Sequence, residues 1–263
     1  MPSVAQTIAA THVPRGALAI YWLAQAGYAF VTSSGRVLLI DVYLSHCVER
    51  LHGFRRLSAA PVSAEELVRD VAVDCVISTH SHADHLDIDT LPVLAQRTTT
   101  RFVGAPDCVQ LYAQLGIAPE RYSVLRRGET LTFGDVALTG VAADHGDLAP
   151  DALGVLLTVD GIRLWHVGDT AFRPELWADL LATGVDVILP PINGAFGNLN
   201  GEQAARLAAL SRARVAIPGH FWMFAEHNGN PAEFLRACAV HAPDTKPVLL
   251  TPGEKYVFTR QEP

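Results

Sequence analysis

The apolar run Val-Asp-Cys-Val-Ile (73–77) leads without a break into Ser-Thr-His-Ser-His-Ala-Asp-His-Leu-Asp-Ile-Asp (78–89). Three histidines and three aspartates thus crowd into twelve positions just past a segment rich in β-branched and apolar residues. Such a segment reads as a buried strand. Ligand sites lie where strands stop and loops begin, because the strand holds a polar group rigidly while the loop leaves room for another molecule. A fold that buries this strand must also neutralise the cluster at its end, and bound cations would do so.

Three further stretches share this plan. VALTGVAADH (136–145) delivers His145, RLWHVGD (163–169) delivers Asp169, and ARVAIPGH (213–220) delivers His220. Within HSHADH, a tight loop can aim His80 and His82 at one ion and Asp84 and His85 at a second. His145 would complete the first ion and His220 the second, with Asp169 as the carboxylate that bridges them. Imidazole and carboxylate donors bind such ions at about 2.0–2.2 Å. Two divalent ions roughly 3.5–4 Å apart share a hydroxide that is strongly nucleophilic at neutral pH. Competing readings exist for single positions. Asp169 would serve as a helix cap, and Asp144 competes with His145, where imidazole chemistry favours the histidine. His12, His46, His52, His166 and His241 read as ordinary hydrogen-bonding residues.

The 263 residues are 49% apolar with a mean hydropathy of +0.21, which suits one compact α/β domain spanning residues 1–263. A chain of this length buries enough surface to fold without a disulfide or a structural metal, so a metal site here is functional. The net charge of −7 and the lack of any basic run disfavour nucleic acid as a partner. The pairs Arg55-Arg56 and Arg126-Arg127 read as scattered solvated cations. Cys47, Cys75, Cys108 and Cys238 have no CxxC spacing and read as small core residues of a reducing compartment. Residues 1–16 carry neither a charged n-region nor an apolar h-region, and no stretch of about twenty apolar residues occurs, which suggests a soluble cytoplasmic protein. The surface pattern does not fix the oligomeric state, and an exposed aromatic stretch would allow a homo-oligomer.

Strand-like runs fill residues 17–41, and the less periodic segment from Tyr43 to Pro61 reads as a long loop, with a lid over Tyr43–Leu57. Ser63 and Glu66 form a capping box for a short helix, and Gly116 closes another after PDCVQLYAQLG. Asp160-Gly161 predicts a type I′ hairpin turn. Helices are expected over FRPELWADLLATG, NGEQAARLAALSRA and the segment opened by Asn230-Pro231, with strands at VDVILPPI and RVAIPGH and near PVLLT and KYVFT.

Taken together, THSHADHLD (79–87), ADH (143–145), HVGDT (166–170) and IPGH (217–220) resemble the metallo-β-lactamase superfamily of dinuclear hydrolases. The order and flanks of these motifs are most similar to the L-ascorbate-6-phosphate lactonase branch. The resemblance implies a four-layer αβ/βα sandwich with its metals at the edge where the sheets open. It implies His80, His82 and His145 on one metal, Asp84, His85 and His220 on the other, and Asp169 between them. Two divalent ions per chain, Mn²⁺ or Zn²⁺, are implied as cofactors. A flavodiiron-type oxygen reductase would carry glutamate where this chain has His82, so redox chemistry is disfavoured.

The activity expected on these grounds is a lactonase that opens a sugar-type or related lactone through a metal-bridged hydroxide. Asp84 would ligate metal and also carry the proton from nucleophile to leaving group. Trp222, Phe224, Asn193 and His227 are the expected contacts to a small-molecule substrate, with Gly194, Glu226 and Asn228 nearby. The aromatics among them read equally well as core. Two rival functions remain: a phosphodiesterase acting on a small phosphodiester or phospholipid-type substrate, and a non-catalytic metal- or ligand-binding protein.

Overall fold

The computed structural model describes residues 2–227 and 229–260, and its backbone divides into two compact units. The first runs to Leu125 and takes up the chain again from Leu250; the second covers Arg126–Leu249.

The first unit begins with α1 (Val4–Ala9), β1 (Ala17–Trp22), β2 (Tyr28–Val31) and β3 (Val37–Ile40). After α2 (Cys47–His52) and α3 (Ala64–Asp70) come β4 (Val73–Ser78), α4 (Thr90–Leu94), β5 (Arg101–Gly104), α5 (Cys108–Gln114) and β6 (Tyr122–Val124). The second unit holds β7 (Thr130–Phe133), β8 (Val136–Ala142), β9 (Leu153–Val159), β10 (Ile162–His166), α6 (Ala178–Thr183) and β11 (Val187–Leu189). It closes with α7 (Gly201–Leu210), β12 (Val215–Ala216), α8 (Pro231–His241) and β13 (Lys246–Pro247), and the first unit regains β14 (Lys255–Thr259).

Each unit is built on one seven-stranded mixed sheet, ordered β14-β1-β2-β3-β4-β5-β6 in the first and β13-β12-β11-β10-β9-β8-β7 in the second. In the first, β14 to β3 pair antiparallel and β3 to β6 parallel. In the second, β7 to β10 pair antiparallel and β10 to β13 parallel. Central strands are buried along their whole length, as in ALAIYW of β1 and VLLI of β3, which explains why they read as unbroken apolar runs. The α/β class expected from the sequence is the one observed.

The local signals hold where side-chain chemistry sets them. Ser63 and Glu66 form the reciprocal capping box at α3. Asp160 (φ 50°) and Gly161 (φ 77°) make the turn between β9 and β10, both residues having the positive φ that a type I′ turn requires. Near PVLLT the expected strand is present but short: β13 stops at Pro247, and Val248 N–H extends the pairing to Ala216 O at 2.9 Å. Pro247 lacks an N–H and lies on the sheet edge, where proline is tolerated but cannot extend a ladder.

The segment after β3, expected as a long loop or lid, is tied to the rest of the first unit. It contains α2, closed by Gly53 in the left-handed conformation, and Tyr43, Cys47 and Val48 are buried. Asp87, fully buried, ties it down by accepting from Leu44 N, Ser45 N and Ser45 Oγ, and also from Asp89 N, Thr90 N and Thr90 Oγ1. Arg56 corrects an expectation, since it is only 7% exposed rather than solvated; Arg55 is exposed. Its guanidinium donates to the carbonyls of Tyr43, Ser45 and Ser58 and lies 4.7 Å from the centre of the Tyr43 ring. Carbonyl acceptors and the ring face take the place of water around this cation.

All four cysteines are free and buried. Burial pushes the Cys47 thiol up to about 12 and that of Cys238 up to about 11, so both stay protonated at neutral pH. Among the described residues no helix is long and apolar enough to cross a membrane. Asp87→Ala removes a buried charged acceptor shared by two segments and should cost about 3 kcal/mol or more in urea denaturation, with new proteolytic cleavage between residues 44 and 58. A loss below about 1 kcal/mol with no new cleavage would show that Asp87 does not hold the segment.

Candidate metal centre

In the first unit the donors follow β4 directly. A turn closed by His85 N and Leu86 N, both donating to His82 O, folds residues 80–86 back on themselves. Ser81 N donates to Asp107 Oδ2 at 3.0 Å and fixes the start of that turn. His80 and His85 are fully buried, and their rings lie 4.1 Å apart.

The orientation of both rings follows from one buried carboxylate. Asp41, at the end of β3, accepts from Thr79 N at 2.8 Å, Thr79 Oγ1 at 2.7 Å and His85 Nδ1 at 2.9 Å. The Thr79 hydroxyl spends its single proton on Asp41, so at 3.1 Å it accepts from His80 Nδ1. Both rings thus use Nδ1 for these hydrogen bonds, and Nε2 is the nitrogen each would offer a metal. The Nε2 of His80 faces His82 Nδ1 at 2.9 Å, and the Nε2 of His85 faces Asp84 Oδ2 at 3.6 Å. A cation shared by the ring nitrogen and the carboxylate oxygen would suit this pairing. The donor set thus fits a metal, with His80 and His85 offering Nε2, His82 offering Nδ1 and Asp84 a carboxylate oxygen. Asp84 Oδ2 also accepts from Gln25 Nε2 at 2.7 Å.

In the second unit Asp169 is presented by a feature of the backbone. Val167 N donates to Leu189 O, and Gly168 then takes φ 70°. A Cβ on Gly168 would lie 2.4 Å from Leu153 O, so no other residue fits there. Asp169, 4% exposed, places Oδ2 3.2 Å from His220 Nε2 and 3.8 Å from His145 Nε2. One carboxylate oxygen thus faces two imidazoles, and Asn198 Nδ2 donates to the same oxygen at 2.7 Å. Asp144 turns instead to Arg173, 3.1 Å away.

The expected substrate contacts separate by burial. Trp222 is 61% exposed, so it is not core, whereas Phe224, Asn193 and His227 are buried. His227 stacks 4.8 Å from His220 and packs against Phe224 and Phe196. Asn193 Nδ2 donates to Ala195 O at 3.4 Å, and its Oδ1 finds no partner among the described residues. Glu226 is exposed, and Asn228 lies outside the described residues. Of the histidines read as ordinary, His46 pairs with Glu49 and His241 with Glu202.

Three residues absent from the sequence reading touch these donors: Asp41, Gln25 and Asn198. Asp41 carried the same signal as the others, an acid just past a buried strand. Gln25 (φ 51°), Asp41 (φ 48°) and His220 (φ 57°) all have left-handed backbone, which costs a non-glycine residue roughly 1–2 kcal/mol. Strain of this kind gathers at functional sites.

Residues 36–221 match the β-lactamase superfamily domain, and the chain belongs to that superfamily, in the branch of its metal-dependent hydrolases. It is 30% identical to a UPF0173 metal-dependent hydrolase of Cupriavidus taiwanensis, over 92% of this chain and 87% of that one. Among solved structures, Igni18, a metallo hydrolase of Ignicoccus hospitalis, has a TM-score of 0.75 at 21% identity, covering 93% of this chain and 100% of its own. The isothiocyanate hydrolase from Delia radicum gut bacteria has a TM-score of 0.72 at 19% identity, covering 92% and 99%. The metallo-β-lactamase fold protein YhfI from Bacillus subtilis has a TM-score of 0.67 at 17% identity, covering 92% and 100%, a likeness of fold that agrees with the resemblance seen in the motifs.

Asp41→Asn keeps the shape but weakens the carboxylate that orients both rings. It should lower the affinity for Zn²⁺ by about 10–100-fold in a chelator competition assay. An unchanged affinity would show that the Thr79–Asp41–His85 network does not prepare the donors.

Proposed function

We propose that the two donor sets, His80, His82, Asp84 and His85 from the first unit and His145, Asp169 and His220 from the second, are ligands of one dinuclear centre. The centre holds two divalent ions per chain, Mn²⁺ or Zn²⁺, and serves the hydrolysis of a lactone or related ester in the cytoplasm. The observation that supports this reading is that His80 and His85 both turn Nδ1 to hydrogen-bond partners, Thr79 Oγ1 and Asp41 Oδ2, so that Nε2 is the nitrogen each ring offers a metal. His80, His82 and His145 share one ion, Asp84, His85 and His220 the other, and Asp169 lies between. The donors are all imidazole or carboxylate, a set that suits either metal.

When bound, the ion pair supplies a hydroxide nucleophile at neutral pH and polarises the attacked carbonyl. The remaining work belongs to the chain. Asp84, steadied by Gln25 at 2.7 Å, takes the proton of the nucleophile and returns it to the leaving alkoxide. Trp222 and Phe224 give the substrate an apolar wall, and Asn193 and His227 give it polar contacts. None of these four is Arg or Lys, so a neutral ester suits them better than a phosphodiester, which calls for such a side chain.

His80→Ala, with folding verified, should lose about 10³-fold or more in kcat/KM, as should the wild-type protein after chelation. Retained turnover in both would end the metal-hydrolase reading. A panel of lactones, p-nitrophenyl phosphodiesters, β-lactams and an isothiocyanate, assayed with Mn²⁺- and Zn²⁺-loaded protein, should show lactones as the preferred substrates. Preference for another class would replace the lactone, and no turnover with two metals bound would favour a binding protein. Trp222→Ala should raise KM while changing stability by under about 0.5 kcal/mol. A stability loss with KM unchanged would return Trp222 to a packing role.

A further inference from the structure

The loop from Pro190 to Asn200 contains three asparagines, and two have evident local duties. Asn193 Nδ2 donates to Ala195 O within the loop, and Asn200 caps α7, accepting from Gln203 N. The loop backbone is also closed by its own bonds, Gly194 N to Leu199 O and Asn198 N to Ala195 O. Asn198 is the exception. Its side chain neither staples the loop nor caps a helix. Its Nδ2 donates to Asp169 Oδ2 at 2.7 Å, and its Oδ1 has no partner among the described residues although Asn198 is only 6% exposed.

A buried amide oxygen without a donor is unfavourable, and such exceptions in folded proteins call for an explanation. A leucine would fill nearly the same volume without that penalty. What the chain keeps by retaining asparagine is the N–H aimed at Asp169. We infer that Asn198 is a positioning residue: it holds the Asp169 carboxylate in the rotation that presents Oδ2 to His145 and His220. This rests on the reading of Asp169 as a metal ligand. A ligating carboxylate that serves two directions gains from a partner that stops it turning. A neutral donor does so without cancelling the negative charge that a lysine or arginine would neutralise. The side chain's one described hydrogen bond points at a candidate ligand, so its duty lies there rather than in folding.

The test compares Asn198→Leu, Asn198→Asp and Asp169→Asn in the full-length protein, stripped of metal and titrated with Zn²⁺ against a chromogenic chelator. Asn198→Leu should bind Zn²⁺ about 10-fold more weakly, while the melting temperature of the metal-free protein stays equal to wild type or rises. Asn198→Asp, which has the shape but not the donor, should weaken binding at least as much. Wild-type affinity in both Asn198 variants alongside weakened binding in Asp169→Asn would overturn this inference alone. Wild-type affinity in Asp169→Asn would overturn the assignment of Asp169 as a ligand, and this inference with it. If both Asn198 variants fail to fold, Asn198 is a staple of the loop and the inference is wrong.

Discussion

The arrangement depends most on a single buried carboxylate. Asp41 is fully shielded from water at the end of β3, where burial of an anion is costly unless hydrogen bonds replace its solvation. It is compensated by the amide and hydroxyl of Thr79 and by the ring of His85. Each of these bonds arises from strand pairing: β3 and β4 run parallel, and Asp41 N donates to Ile77 O, so the residue after one strand meets the start of the loop after the other. The sheet register thereby decides which nitrogen of each histidine, Nδ1, is taken up by these hydrogen bonds. The proposed chemistry at HSHADH thus follows from the packing of two apolar strands.

The second unit reaches a comparable result by a different device. Gly168 lets the chain turn close over Leu153 O, and Asp169 emerges buried against two histidines. His220 accepts left-handed backbone two positions before Trp222 does the same. The parallel pairing of β10, β11 and β12 brings the ends of these strands side by side, with Asp169 past the end of β10 and His220 past the end of β12. In both units the strands provide rigidity and the strained or glycine-dependent turns beyond them provide direction.

Much of this was legible in the sequence because it depends on local chemistry. The capping box at Ser63, the Asp160-Gly161 turn and the apolar runs of β1, β3, β4, β9 and β10 each act within a few residues. The strand ends at which the four motifs sit were legible for the same reason. What escaped was set by contacts remote in sequence. Asp41 meets His85 across 44 positions, Gln25 meets Asp84 across 59 and Asn198 meets Asp169 across 29. Arg56 was misread as solvated because nothing near it in sequence announces that the carbonyls of Tyr43 and Ser45 fold over it. The anchoring of the same segment was hidden for the same reason, since Asp87, which accepts from Leu44 N and Ser45 N, lies more than forty positions away in sequence.

The central claim is that these side chains converge on a pair of ions. It is tested most directly by diffraction from crystals grown with Zn²⁺, recorded on both sides of the zinc absorption edge. The account predicts two anomalous peaks per chain, one bounded by His80, His82 and His145 and one by Asp84, His85 and His220, with Asp169 touching both. Absence of any peak at these residues, or side chains directed away from the peaks that appear, would contradict it.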